Sequence, residues 1–321
     1  MKKYIYILAA LLGALAWTGC QRPKEEEPLQ QEKPAPADSV WIVNIKAVTE
    51  EGATKGLAIG DGETEAATAT LKSIWKDWQK VQVYLNGTKI GELSVTPDSE
   101  DAHYATLSGE VTSTGITAGT SRLTLLATER DTWDYTGQVG KLLLTDDAEN
   151  SIEKKYHYTL AENVLVTGLA AGSTTGKGVL TTEQATFANQ QSIYRLSFRF
   201  QKSGSGTKTP ITAQRVTITS ADGHLVQGQG LTGSPVTEGP ISVILGSATA
   251  DPFFVALRNG NTTSKENLTF EVVGSDGVTY MGSKEIPADY KPNGTFVSVK
   301  NATLTGRKGL TESNEVVTTA L

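Results

Sequence analysis

The sequence predicts an all-β fold, and three observations carry that expectation. Short runs rich in Val, Ile, Thr, Tyr and Phe recur at roughly ten-residue spacing along most of the chain. Gly, Asn and Asp punctuate those runs as turns. Apart from one short stretch, no segment combines a helical period with adequate length and caps.

The first predicted strand is Val40–Val48, β-branched and aromatic, with alternation in its second half. Val81–Leu85 and Lys89–Val95 flank Asn86-Gly87, the strongest short hairpin signal. Arg122–Thr128 alternates around Leu123, Leu125 and Ala127, and Tyr156–Leu160 and Asn163–Val166 continue the series. Ala170–Gly178 is rich in Gly, Ser and Thr and reads as a linker, dividing the body into 38–167 and 168–321. Beyond it, Ser192–Phe200, Arg215–Thr219, His224–Val226, Ile241–Leu245 and Phe253–Leu257 read as strands. Leu268–Val273, Val278–Met281 and Thr295–Val299 complete the set, with turns at Ala221-Asp222-Gly223 and Asp276-Gly277. Short strands in this rhythm predict antiparallel sandwiches. The competing stretch is Leu71, Ile74, Trp75 and Trp78, whose spacing predicts one or two helical turns before Val81.

Ahead of the strands lies an address. Met1-Lys2-Lys3 is basic, Tyr4–Trp17 is apolar and too short to span a bilayer, and Thr18-Gly19-Cys20 follows. Residues 1–19 therefore read as a signal peptide and Cys20 as the site of lipid attachment. Several acyl chains, at about 0.8 kcal/mol per buried CH₂, would hold the chain on a membrane durably. Residues 20–37 carry four prolines and Glu25-Glu26-Glu27, a composition that cannot bury enough apolar surface to fold and reads as a tether.

Composition removes several function classes. The formal charge of −6 over 321 residues argues against nucleic acid as a partner. One cysteine excludes a disulfide scaffold or a cysteine-built zinc site within the chain. His103, His157 and His224 are far apart in sequence, and no nucleophile elbow, phosphate loop or metalloprotease helix occurs. The acidic stretches Asp61–Glu63, Asp98–Asp101 and Asp146–Glu149 match no calcium-loop spacing and read as solvated turns. No cofactor, metal or catalytic residue is expected. Trp41, Trp75, Trp78 and Trp133 read as core, with sugar stacking as the other use of such rings.

Taken in order, several segments resemble the fimbrillin family of type V pilus subunits. They are Cys20 at a lipobox, strand Val40–Val48, Thr54–Leu57, and Ile74–Tyr84 with its Trp-Lys-Asp-Trp core; Ile211–Val226 and Asn293–Leu304 follow. The resemblance implies two tandem transthyretin-like β-sandwiches behind a lipoprotein signal, and a surface-exposed, lipid-anchored protein of the outer membrane and fimbrium. It also implies polymerisation with other pilus subunits by protease-triggered donor-strand exchange, and adhesion to a host or bacterial surface ligand. The strand to be lost would be Val40–Val48, with Val40, Trp41, Ile42, Val43, Ile45 and Val48 as its apolar residues. Processing would fall at Lys55, the one basic residue of Glu50–Gly60, whereas relatives are typically cut after Arg. The donor strand would be the C-terminal end, through Val316, Val317, Ala320 and Leu321, a largely polar segment and so a weak donor. The alternative function is a surface lipoprotein that captures glycans on aromatic platforms such as Trp75 or Trp133.

Overall fold

A computed structural model describes residues 39–49, 58–59, 68–72, 74–128, 132–139, 152–172, 177–221, 223–230, 236–260, 267–285, 294–310 and 316–319. All belong to one unit, Ala35–Leu321. The chain enters as β1 (Ser39–Thr49), whose Trp41, Val43, Ile45 and Ala47 are buried while Asn44 and Lys46 are exposed. After β2 (Ala58–Ile59) and β3 (Thr68–Lys72) comes a meander of β4 (Lys80–Leu85), β5 (Thr88–Pro97) and β6 (Tyr104–Ser113). Asn86 and Gly87 join β4 to β5 with φ of 47° and 85°, the doubly left-handed turn that matches the twist of a hairpin.

The chain continues through β7 (Arg122–Ala127), β8 (Thr132–Asp134), β9 (Gln138–Val139), helix α1 (Ile152–Lys155) and β10 (Thr159–Ala170). Then β11 (Gly178–Thr182) and β12 (Ala185–Asn189) return beside β1. The remaining strands are β13 (Ser192–Gln201), β14 (Lys208–Pro210), β15 (Ala213–Ser220), β16 (Val226–Gly230), β17 (Thr237–Glu238) and β18 (Ile241–Thr249). They are followed by β19 (Phe253–Leu257), β20 (Asn267–Gly274), β21 (Thr279–Glu285), β22 (Thr295–Leu304), β23 (Gly306–Leu310) and β24 (Val316–Thr319).

The fold is all-β, as the strand-and-turn rhythm predicts, but the first sheet closes on itself. β1 pairs with β6, β6 with β5, β5 with β4, β4 with β7, and β7 with β10. β10 pairs with β11 and β12, and both of these pair with β1, sharing one position in the ring. This is a barrel, the arrangement that removes sheet edges altogether, where the strand rhythm alone predicts an open sandwich. Strand period shows that a segment pairs, and pairing between β1 and strands more than 130 residues later leaves no local trace.

Two hydrophobic cores result. The barrel interior holds Trp41, Val43, Ile45, Trp75, Val83, Leu93, Leu107, Leu125, Val166 and Phe187, among others. The second core, under the later sheets, is built from Tyr135, Tyr158, Tyr194, Phe198, Phe253 and Phe270 with many aliphatics, and it includes Tyr84 of β4, Leu126 of β7 and Leu160 of β10. Those three strands therefore serve two cores. β4 shows it in its burial, with every residue from Val81 to Leu85 buried.

The later sheets recruit strands from the first half. A seven-strand sheet runs β24-β23-β21-β20-β15-β18-β9, a second runs β14-β13-β22-β3-β2, and a small one runs β17-β16-β8. After β1 and β7 the chain thus supplies strands at the margins of other sheets: β2 and β3 beside β22, β8 beside β16 and β9 beside β18. Gln138 of β9, fully buried, ties this crossing down: its amide nitrogen donates to the Tyr135 and Ala256 carbonyls (3.0 and 2.8 Å) and its oxygen accepts from Ala256 N–H (3.0 Å).

The helical spacing of Leu71, Ile74, Trp75 and Trp78 is overruled. Leu71 ends up in β3, and Asp77–Trp78 form a turn in which Gln79 N–H donates to the Lys76 carbonyl. Trp75 instead packs edge-on against Phe187, ring centroids 5.0 Å apart, and tertiary burial outweighs the weak preference of a short helix. Tyr156 and His157 precede the strand that the sequence starts at Tyr156, because α1 ends there and β10 begins at Thr159. β10 is one strand with a register shift between Ala161 and Val164, where Asn163 takes φ 60°.

Candidate functional site

The site suggested by the sequence is β1 and its seat. Period-2 geometry sends Trp41, Val43, Ile45 and Ala47 inward, each at most 3% exposed, and turns Val40, Ile42 and Val48 to the half-buried outer side. Ala47, absent from the sequence-based set, continues the inward row and is readable from that same period.

β1 is not an edge strand. Ser39–Val48 pairs residue for residue with Ser113–Tyr104 of β6. On its other flank Trp41–Val43 runs parallel to Gly178–Leu180 of β11, and Ala47–Thr49 runs parallel to Ala185–Phe187 of β12. Its outer face, however, is open, since Asn44 and Lys46 are exposed, whereas β4 is buried on both faces. β1 is thus a stave on the solvent side of the barrel, contacting the barrel core alone.

Two contacts mark its N-terminal half. The Trp41 indole lies on the backbone of Gly178, where a Cβ would stand 2.4 Å from ring atoms Cε3 and Cζ3, so this approach requires glycine. The indole N–H reaches the Ser113 carbonyl at 3.4 Å. Across the outside, Lys177 Nζ forms an ion pair with Glu110, linking the two flanks of β1 beside Ile42, the register partner of Glu110. Neither Gly178 nor this clasp carries a recognisable sequence signal, because both depend on the ring closing.

Behind β1 the chain leaves the barrel. Ala58–Ile59 pairs with β3, and β3 pairs with Thr295–Val297 of β22 in another sheet. Lys55 and Cys20 lie outside the described residues, as do Ala320 and Leu321. Val316 and Val317 belong to β24, which pairs with β23 at the end of the seven-strand sheet. The proposed lost strand and the proposed donor therefore occupy different sheets.

The other singled-out residues fall into structural places. Trp75 is 1% exposed, so it is a core residue and cannot stack a sugar; Trp133 falls in β8. His157 is buried and bonded to Asn189 Oδ1 at 2.9 Å, while His224 Nδ1 meets Glu238 at 3.3 Å. The Asp98 carboxylate accepts the backbone N–H groups of Glu100 and Asp101, which hold its pKa below the usual value. Among the described residues, no three His, Cys, Asp or Glu side chains converge on a metal-sized position.

No family model matches the chain, and no curated protein matches it. Similar solved structures exist in Bacteroidales. One, described as a candidate adhesin from Bacteroides ovatus, is 9% identical with a TM-score of 0.40, over 88% of this chain and 96% of that one. A candidate cell adhesion protein from Parabacteroides distasonis is 10% identical with a TM-score of 0.36, over 88% and 92%. Another from Bacteroides uniformis is 10% identical with a TM-score of 0.35, over 89% and 98%.

Proposed function

We propose that this chain is made as a lipid-anchored precursor and becomes a non-catalytic subunit of a surface pilus, assembled by strand exchange after a cut behind β1 that leaves Cys20 with the released segment, and contributing to adhesion. The observation that carries the reading is the position of β1: a single stave with an apolar inner row, held on both flanks and exposed on its outer face. One cut within residues 50–57, where Lys55 lies, would turn it into a separate peptide held by non-covalent contacts only.

Such a strand would not leave unaided. Buried side chains of this size contribute about 1.5–3 kcal/mol each, so the inward row rivals the 5–15 kcal/mol that stabilises a whole domain. Loss of β1 would open the ring and uncover two rows of unpaired N–H and C=O groups on either side of an apolar slot. An incoming strand that pairs as it displaces β1 avoids that intermediate, which is the physics of β-strand addition. A head-to-tail contact of this kind does not close and grows as a fibre.

The segment 316–321 matches the slot poorly. Alternation puts Val317, Thr319 and Leu321 on one face and Val316, Thr318 and Ala320 on the other, and neither reproduces Trp-x-Val-x-Ile-x-Ala. In this reading the signal peptide and Cys20 carry the precursor to the outer membrane, with residues 20–37 as the tether.

The test is a site-specific protease sequence placed within residues 50–57, with fluorescent peptide 39–49 offered to the cut protein. The expected result is uptake of the peptide together with release of the endogenous strand. A cut protein that stays monomeric, keeps its strand and takes up no peptide overturns the reading.

A further inference from the structure

Outside the barrel, over the seam of β1, β6 and β5, lies a concavity of about 750 Å³, within the range of small-ligand sites. Register builds its floor: Lys46 faces Thr106, and Thr106 faces Thr96, all directed away from the core. Tyr104, the register partner of Val48, stands at one end beside Pro97, Asp98 and Ser99. Thr182 at the end of β11 and Gln184 between β11 and β12 form the opposite rim, and Asn44 lies beside Lys46 on the same strand face.

The chemistry of this lining narrows its ligand. Tyr104 is 46% exposed and is the one aromatic among the large exposed apolar side chains of the described residues. A ring held at a cleft wall offers a flat apolar face with a polar edge. Around it stand two amides and the hydroxyls of Thr96, Ser99, Thr106 and Thr182, groups that both donate and accept. Lys46 Nζ spends one contact on Thr106 Oγ1 (3.2 Å), leaving other N–H donors of its ammonium to point elsewhere. The two charged side chains in the lining, Lys46 and Asp98, are opposite in sign.

A peptide that adds as a further strand would need a free sheet edge, which the ring closure removes. A polyanion would need more than one cation. A ligand rich in hydroxyls, uncharged, with one apolar ring face, matches what is present. We propose that this cleft binds a short neutral oligosaccharide, with Tyr104 as the stacking platform and Asn44, Lys46 and Gln184 as hydrogen-bonding partners. The cleft exists only while β1 is seated, since Asn44 and Lys46 belong to that strand, so it is a property of the uncut chain; it moves the aromatic platform from Trp75 to a residue that faces solvent.

The test uses the full chain with Cys20→Ser, probed on an immobilised panel of neutral hexose and N-acetylhexosamine oligosaccharides. Retention on at least one class is expected. Tyr104→Ala and Asn44→Ala should each weaken that binding by about tenfold, while Trp75→Phe leaves it unchanged. Melting temperatures of the Tyr104 and Asn44 variants should stay within about 2 °C of the parent, as for exposed positions. Absence of retention on every neutral glycan overturns the proposal, and so does binding that both surface variants leave intact.

Discussion

The barrel and the later sheets solve the same problem in opposite ways. The barrel has few large rings, Trp41, Trp75 and Phe187, and owes its order to closure, every stave being flanked on two sides. The later sheets stay open, ending at strands such as β24, β9 and β14, and rest on an aromatic-rich core and on buried polar ties such as Gln138. A ring fails as a unit when one stave is weakened, whereas a set of open sheets can fray locally. The difference assigns β1 an influence over its neighbours that no single later strand has.

The largest expected effect tests that claim directly. Trp41→Ala should destabilise the protein by about 3–5 kcal/mol, and Phe270→Ala by a similar amount, since both remove a buried ring. Hydrogen exchange should separate them: the Trp41 variant should lose protection throughout residues 39–48 and 104–113, and the Phe270 variant only in the later sheets. Equal exchange patterns in both variants would erase the distinction between closed and open halves.

A smaller perturbation enters from the other side of the same contact. Gly178→Ala sets a methyl group against the Trp41 ring and should cost about 1–3 kcal/mol by overpacking, read as a shift in urea midpoint. Restored stability in the double variant Gly178→Ala with Trp41→Leu would show that the two positions act together. In the open half, Gln138→Ala should cost about 1–3 kcal/mol by leaving the Ala256 N–H and the Tyr135 carbonyl short of partners. Its denaturation should leave β1 protection unchanged.

The smallest effect concerns alkaline pH. Tyr280 donates to Asp276 Oδ2 at 2.6 Å, and desolvation, then that bond, raise its pKa to about 12 from an ordinary value of 10.0. The unfolded chain loses this proton first, so stability is intact below pH 10 and declines as pH rises toward 12. Asp276→Asn should flatten that decline when unfolding free energy is followed across the same window.

Much of this fold was legible locally. The Asn86-Gly87 hairpin, the alternation of β1 and the bounds of β19 follow from residue type and period alone. β6 was not, because its inward row is Ala105, Leu107, Gly109 and Val111, too weakly apolar to stand out among threonines and serines. The stretch read as a linker at Ala170–Gly178 carries the chain back into the ring, and Gly178 is there to admit an indole rather than to provide slack. Of the candidate site, the inward face of β1 could be read from its period, whereas its two flanks, the Lys177–Glu110 clasp and the Tyr104 cleft depend on contacts distant in sequence.

The notch above Gly178 has one further implication. It is an indole-shaped mould, and a foreign segment sliding into the slot would have to carry a ring of that size in one register or leave a void. Under the strand-exchange proposal, a single complementary bump and hollow would act as a proofreading key, admitting segments that carry the matching ring and turning others away.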